Sequence, residues 1–163
     1  PFMSDEGIPY AQAKFIANQT VNKFIADHPV LSFEITSVSP TGVMGKSLSN
    51  RQDSTSTGIQ FLFKNKIAPN SFIQMIYDLD VLWALVDVED VADAIFKAAT
   101  TKNIHGKNYL LSGESYRVSD VTLMLNNQPP VGKPEIVYSS ALAAKDLGIA
   151  FKPVRIPLNN YSS

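Results

Sequence analysis

The sequence predicts an α/β fold built around a parallel sheet, and two observations lead to that prediction. Residues 9–27 have the apolar spacing of a helix and run almost directly into an alternating stretch, 31–38, typical of a strand. Further on, the short apolar stretch 81–86 leads straight into another stretch with helical spacing. A helix joined directly to a strand is half of a βαβ unit, which is the connection that parallel strands require.

The first helix is expected to begin at Pro9 and end near Asp27. Proline is tolerated in a first helical turn, and His28 precedes Pro29, a position pushed out of the helical region. His28 is expected to face solvent or to cap the helix.

The strand at 31–38 leads into a turn at 39–45 that contains Pro40 and two glycines. Ligands of open α/β sheets bind beyond the carboxyl ends of the strands, and glycine allows close approach of the backbone. A plain structural turn is the alternative. The polar stretch 46–57 is either a mobile loop over a site or a solvated connection, and Ser54 or Thr55 is expected to cap a helix through Phe63.

The middle of the chain predicts a strand at 72–77, a turn at 78–80 and a strand at 81–86 with Trp83 in the core. Asp87 is expected to cap the next helix. Its neighbours Glu89, Asp90 and Asp93 suit a first helical turn, so we interpret them as capping groups and predict no metal site.

The C-terminal part predicts a strand at 108–112, a short helix capped by Ser119, and a proline-rich loop at 126–134. An extended segment at 136–138 follows. Ser140 is expected to cap a helix over 141–147, with Gly148 in the position that glycine prefers after a helix.

Composition restricts the function classes. The chain has 163 residues, 45% of them hydrophobic and 18% charged, a net charge of −1 and no cysteine. Its basic residues are dispersed, which disfavours nucleic acid as a partner. No apolar run approaches the roughly 18–20 residues of a membrane span, and the N-terminus resembles no secretory signal. We therefore expect a cytoplasmic protein with no membrane partner, and the beginning of the chain resembles the middle of a longer protein.

Tyr10 and Lys14 form the most suggestive pair in the sequence. Residues four apart on a helix share a face, with Cβ atoms about 5–6 Å apart. A nearby ammonium favours the ionised form of a phenol, so the pair suggests proton transfer at a substrate oxygen. The alternative is a half-buried tyrosine beside a solvated lysine, which many soluble helices contain.

The order of these motifs resembles the C-terminal part of an extended short-chain dehydrogenase/reductase, the NAD-dependent epimerase/dehydratase family. Tyr10 and Lys14 match its Tyr-x-x-x-Lys, residues 40–45 match its Pro-x-x-Val-x-Gly turn, and residues 86–92 match its Val-Asp-Val-x-Asp-Val-Ala helix start. Residues 106–112 resemble the strand that usually follows. The ending, 138–151, is most similar to the dihydroflavonol-reductase-like branch.

The resemblance implies the end of a Rossmann-type, doubly wound sheet over residues 1–46 and a small, mainly substrate-binding α/β domain over 47–163. It implies NADP or NAD as cofactor and a small-molecule substrate, with a ketone or aldehyde reductase as the first expectation. A nucleotide-sugar epimerase/dehydratase, or a non-catalytic dinucleotide-binding or interaction protein of the same fold, is the alternative. Helices like the first one often form homodimers in this family. The implied catalytic residues are Tyr10 and Lys14, and the implied cofactor contacts are Tyr10, Lys14, Pro40, Thr41, Gly42, Val43, Ser54 and Thr55.

Two family features are missing from the 163 residues. The glycine-rich phosphate turn, Gly-x-x-Gly-x-x-Gly, is absent, and Ser4 lies too close to Tyr10 to replace the family's upstream serine. A dinucleotide is held by the first βαβαβ half of such a fold, so we expect the chain alone to be inactive. We also expect it to be a fragment whose exposed strand edges and apolar surface are masked by self-association or rearrangement.

Overall fold

The computed structural model describes residues 9–47 and 55–161. By their packing these form two units. One contains the residues up to Ser37 together with Lys102–Asn108, and the other contains Val38–Thr101 and Tyr109–Ser163. The elements in chain order are α1 (Pro9–Asp27), β1 (Ser37–Pro40), β2 (Gly42–Met44), α2 (Thr55–Asn65), α3 (Ser71–Asp78), β3 (Leu82–Asp87), α4 (Val88–Thr100), β4 (Asn108–Leu111), β5 (Ser115–Arg117), α5 (Val118–Leu125), α6 (Ala141–Leu147) and α7 (Arg155–Asn159).

The fold is mixed α/β, as predicted. Strands β1 and β4 form a two-stranded sheet, and β2, β3 and β5 form a second sheet in that order. The β2–β3 pair is parallel, with Gly42 opposite Leu85 and Met44 opposite Asp87, whereas β5 runs antiparallel to β3. The carboxyl ends of β2 and β3 therefore lie side by side in the second unit.

The core of the second unit lies between this sheet and helices α2, α3, α5 and α7. Phe63 of α2 is fully buried, with its ring against the edges of Trp83 and Tyr77. Trp83 packs against the core, as expected from the sequence. The buried residues of this cluster are Met44, Phe63, Ile73, Ile76, Leu85, Tyr116, Val118, Val121, Met124, Leu125, Val154 and Leu158.

The predicted strand at 72–77 is wrong, because this stretch is helix α3. Asn70 acts as the N-cap, with its side-chain oxygen accepting a hydrogen bond from the N–H of Ile73 at 3.0 Å. Ile73 and Ile76 are buried at helical spacing. A short apolar run does not distinguish strand from helix, and the helix start at Asn70 and Ser71 settles the assignment here.

The predicted strand at 31–38 is wrong in its bounds, since β1 begins only at Ser37 and extends to Pro40. The preceding residues form no continuous backbone ladder, and side chains together with a backbone hydrogen bond from Gly106 N–H to Ile35 O at 2.8 Å hold them. The Glu34 carboxylate accepts the N–H groups of Asn103 and Ile104, both at 2.8 Å, and the N–H of Ile35 donates to His105 Nδ1 at 3.2 Å. The hydrogen bonds from these two N–H groups hold the pKa of Glu34 below its usual value.

Helix starts and ends were predicted with mixed success. The Asp87 cap is confirmed, because its carboxylate accepts the N–H of Glu89 at 2.9 Å. Gly148 follows α6 in the left-handed conformation, with φ of 63°. Ser119, however, lies inside α5, whose N-cap is Arg117. Strands β2 and β5 and helix α7 were not predicted, and β2 lies within the stretch 39–45 that was expected to be a turn.

Candidate active site

Tyr10 and Lys14 lie one turn apart on the same face of α1. The Lys14 Nζ is 5.5 Å from the centroid of the Tyr10 ring, within the range of a cation–π contact. Tyr10 is 72% exposed, and Lys14 is exposed as well. Both polar groups are therefore free of burial and available to a ligand on this helix face.

Helix α1 has no fully buried residue between Pro9 and Asp27, although Ala11, Gln12, Val21 and Ile25 are half-buried. Phe15 and Ile16 are 44% and 59% exposed. His28 follows the helix with its Nδ1 at 2.9 Å from the carbonyl oxygen of Phe24, as expected for a capping or solvent-facing histidine.

The predicted cofactor turn is divided between two strands of the second unit. Pro40 ends β1, Thr41 connects the strands through its N–H bond to Leu111 O at 2.9 Å, and Gly42 and Val43 begin β2. Gly42 packs against β3 so closely that a Cβ there would lie 2.7 Å from Trp83 Nε1 and 2.9 Å from Ala84 O. Glycine is therefore required by packing at this position.

The remaining predicted contacts fall at the start of α2. Thr55 is the first residue of that helix, whereas Ser54 lies outside the described residues. Tyr10 and Lys14 belong to the first unit, and Pro40 lies in the second with the rest of the turn. The roles assigned to all of these residues stay predictions.

A cavity of about 610 Å³ lies in the second unit at the carboxyl ends of β2 and β3. This is the edge at which parallel sheets bind ligands. The first turns of α2 and α4 contribute to its walls, and α7 closes another side. The described residues that line it are Val43, Met44, Gly45, Lys46, Ser47, Ser56, Thr57, Gln60, Asp87, Val88, Glu89, Ala92, Ile156, Pro157 and Asn160.

Gln60 is the polar side chain that is most deeply set into this wall, since it is only 1% exposed. Its Oε1 accepts the N–H of Gly45 at 3.1 Å, and its Nε2 donates to the carbonyl oxygens of Gly45 and Ser56 at 3.4 and 3.2 Å. Sequence reasoning did not identify this residue. The sequence does place a glutamine among the apolar residues Ile59 to Phe63 of this helix. This pattern could have indicated a buried, hydrogen-bonded side chain, because a polar group on a buried helix face needs partners.

Three carboxylates at the start of α4 converge on Lys152. Its Nζ is 2.5 Å from Glu89, 3.6 Å from Asp87 and 3.7 Å from Asp90. The hydrogen bond between Glu89 and Lys152 lowers the pKa of Glu89 and raises that of Lys152. Asp90 is buried and accepts the backbone N–H of Lys152 at 2.8 Å. Burial is the main cause that raises the pKa of Asp90, with the Asp87 charge adding to it.

The described residues thus form an α/β fold with a cavity at the carboxyl ends of two parallel strands, and α1 presents an exposed tyrosine–lysine pair. The model of the NAD-dependent epimerase/dehydratase family matches residues 3–112, which is more than half of the chain. The chain therefore belongs to that family, as its motifs predicted. No curated protein matches the chain.

Solved structures of Rossmann-type enzymes share the fold. Yeast methylglyoxal/isovaleraldehyde reductase Gre2, complexed with NADPH, has 20% identity and a TM-score of 0.64 over 89% of this chain and 51% of its own. RMD from Pseudomonas aeruginosa, also with NADPH, has 16% identity and a TM-score of 0.63 over 97% and 57%.

A third similar structure is UDP-glucose-4-epimerase from Stenotrophomonas maltophila with bound NAD and formylated UDP-arabinopyranose. It has 14% identity and a TM-score of 0.65 over 98% of this chain and 53% of its own. This chain thus spans about half the length of the solved structures that it matches. The predicted cofactor class, NADP or NAD, agrees with the family and with these neighbours.

No helix within the described ranges, 9–47 and 55–161, has the length and apolar character needed to cross a membrane.

Proposed function

We propose that this chain supplies the catalytic helix and the substrate-binding part of an NAD(P)-dependent reductase of ketones or aldehydes. The observation that carries the proposal is the pair on α1, with the Lys14 ammonium 5.5 Å from the Tyr10 ring centroid. The dihydroflavonol-reductase-like assignment and the cytoplasmic location expected from the sequence belong to the same proposal.

Tyr10 would exchange the proton on the substrate oxygen. A neutral phenol donates a proton to the oxygen of a carbonyl that is being reduced, and the phenolate takes it back in the reverse direction. Lys14 is assigned the binding of the nicotinamide ribose beside that phenol. The phenol hydroxyl must reach solvent or substrate for the proton exchange, and the 72% exposure of Tyr10 meets that need.

The donor set fits the nicotinamide end of the cofactor only. A hydroxyl and an ammonium on one helix face suit the ribose and the reacting carbonyl, and the backbone around Pro40, Gly42 and Val43 would contact the ring. The 163 residues contain no glycine-rich phosphate turn, and Ser54 and Thr55 are the contacts that the proposal assigns to the phosphates. The nicotinamide ring supplies hydride when it is bound.

The lining of the cavity favours a small carbonyl compound over a nucleotide sugar. Apolar side chains such as Val43, Val88 and Ile156 form much of the wall, and Lys46 is the one basic group among the described lining residues. Asp87 and Glu89 add negative charge at the same wall, although Lys152 partly offsets it. A diphosphate needs several cationic donors, whereas an uncharged ketone or aldehyde needs apolar contact.

We include a homodimer through α1 in the proposal, because this helix leaves apolar side chains such as Phe15 and Ile16 exposed. Sedimentation of the purified protein tests this point separately from catalysis.

The proposal is tested with Tyr10→Phe in the natural protein that contains this chain. We expect the variant to bind NADPH as tightly as wild type and to lose most of its turnover, about a hundredfold or more, since general acid–base catalysis contributes roughly 10²–10⁴-fold. Tyr138→Phe is the matched control, because Tyr138 is also exposed but lies in the other unit. Unchanged turnover in the Tyr10 variant would refute its role. NADPH binding by a wild-type protein that turns over no carbonyl substrate would favour the non-catalytic alternative.

A further inference from the structure

The Gln60 side chain, which also donates to the Ser56 carbonyl oxygen at 3.2 Å, pairs with both backbone polar groups of Gly45. It accepts the N–H of Gly45 at 3.1 Å and donates to its carbonyl oxygen at 3.4 Å. An amide offers an acceptor and a donor side by side and carries no charge at any physiological pH. Because Gln60 is 1% exposed, water cannot readily replace either bond, and losing one leaves a buried polar group without a partner.

Gly45 is also fixed from its other side. Its φ of 139° lies in the region that favours glycine. A Cβ at this position would lie 2.6 Å from Val88 Cγ1. The backbone at residue 45 is therefore held by hydrogen bonds to Gln60 of α2, and the Val88 side chain of α4 excludes any side chain there.

Gly45 lies directly after strand β2. Gly42 and Val43, which begin that strand, are also the last residues of the turn assigned to the nicotinamide. The pairing of β2 with β3 fixes which residues of the two strands lie opposite each other. The hydrogen bonds of Gln60 to Gly45 fix the backbone at the point where β2 ends. Only Met44 lies between the last residue of the turn, Val43, and Gly45. Because each residue spans at most about 3.3–3.6 Å, displacement of Gly45 is transmitted to the turn.

We propose that Gln60 is a positioning residue for the cofactor turn, acting through Gly45. This inference rests on the proposed function, because it assumes that the turn at Pro40–Val43 contacts the nicotinamide. Gln60 itself touches neither cofactor nor substrate in this account.

Gln60→Glu tests the inference, because the substitution preserves shape and makes the pairing depend on pH. A protonated carboxyl has one donor and one acceptor and can reproduce both bonds, whereas a carboxylate only accepts and would face the Gly45 and Ser56 carbonyls. Burial and these two oxygens would raise the pKa of the introduced carboxyl above the usual ~4.3. Gln74→Glu is the matched control, since Gln74 is an exposed helical glutamine in the same unit.

The measurement is the dissociation constant of NADPH for the natural protein that contains this chain, by fluorescence titration from pH 5 to 8.5 well below the unfolding temperature. We expect Gln60→Glu to bind like wild type at the acidic end and about ten- to a hundredfold more weakly at the alkaline end. Wild type and Gln74→Glu should lack this step. Gln60→Met, which has neither donor nor strong acceptor, should bind weakly at every pH.

Three results would overturn the inference. Folded Gln60→Glu and Gln60→Met variants with wild-type affinity throughout would show that the turn does not depend on Gln60. Weak binding by Gln60→Glu at all pH values would show that the paired bonds are not what matters. Failure of Gln60→Glu to fold even under acidic conditions would contradict the claim that a protonated carboxyl reproduces the contact. If wild type binds no NADPH, the proposed function fails instead.

Discussion

Gly42→Ala should destabilise the protein because the space for a methyl group is already occupied. The added Cβ would lie 2.7 Å from Trp83 Nε1 and 2.9 Å from Ala84 O, whereas nonbonded carbon atoms pack best at about 3.5–4.0 Å. Neither neighbour can move freely. Ala84 O is backbone of β3, which lies between β2 and β5, and the Trp83 ring packs against Phe63.

The expected cost is about 1–3 kcal/mol of unfolding free energy, the usual range for overpacking a well-filled site. At about 2 kcal/mol the midpoint of thermal unfolding would fall by about 4–8 °C for a chain of this size. Gly58→Ala is the control, since Gly58 lies within α2 and a Cβ there meets nothing within 4 Å. Alanine in a helix interior is favoured over glycine by about 0.5–1 kcal/mol, so this variant should be more stable than wild type.

Urea unfolding followed by circular dichroism measures both effects. Emission of Trp83, the single tryptophan of the chain, reports the disturbance locally, and it should change in the Gly42 variant alone. Equal stability of the two alanine variants, or a stabilising Gly42→Ala, would refute the packing argument and with it the reason given for glycine in the turn.

Three further substitutions test individual contacts. Tyr77→Phe removes a hydroxyl that donates to Leu62 O at 2.8 Å, so thermal unfolding should show a loss of about 1 kcal/mol. Burial raises the folded-state pKa of Asp90 above its usual value of 3.8. The folded protein therefore binds the Asp90 proton more tightly than the unfolded chain does, which stabilises the fold at low pH. This contribution to stability is lost as pH rises through the folded-state pKa. Asp90→Asn should consequently gain stability relative to wild type as pH rises from about 3.8, and parallel unfolding midpoints at each pH would contradict this. Glu34→Gln weakens the hydrogen bond that the Ile104 N–H donates to the Glu34 carboxylate at 2.8 Å. Hydrogen exchange at the Ile104 amide should therefore become faster, and an unchanged exchange rate would contradict this contact.

Local chemistry predicted the parts of the fold that depend on neighbouring residues. Asp87 caps α4 because its carboxylate reaches an N–H two residues away, and Gly148 follows α6 because few other residues adopt a positive φ. The tyrosine–lysine spacing placed two side chains on one helix face, and the structure has Lys14 beside the Tyr10 ring.

Contacts distant in sequence account for what sequence reasoning missed. Before Ser37 the predicted strand at 31–38 is not a strand, and there Glu34 binds backbone groups about seventy residues later, at Ile104 and its neighbour. Strand β5 has three residues, too few for a periodic signal, and it exists through pairing with β3. Gln60 was overlooked because its partner, Gly45, lies in a different element.

The most direct test of the central claim is a substrate comparison with the natural protein that contains this chain. NADPH oxidation is followed by absorbance with a set of ketones and aldehydes, and in parallel with UDP-sugars. We predict that NADPH is consumed with at least one carbonyl compound, that UDP-sugars are neither bound nor converted, and that Tyr10→Phe abolishes the consumption. Interconversion of a UDP-sugar without net loss of the nucleotide, or carbonyl reduction that survives Tyr10→Phe, would contradict the account.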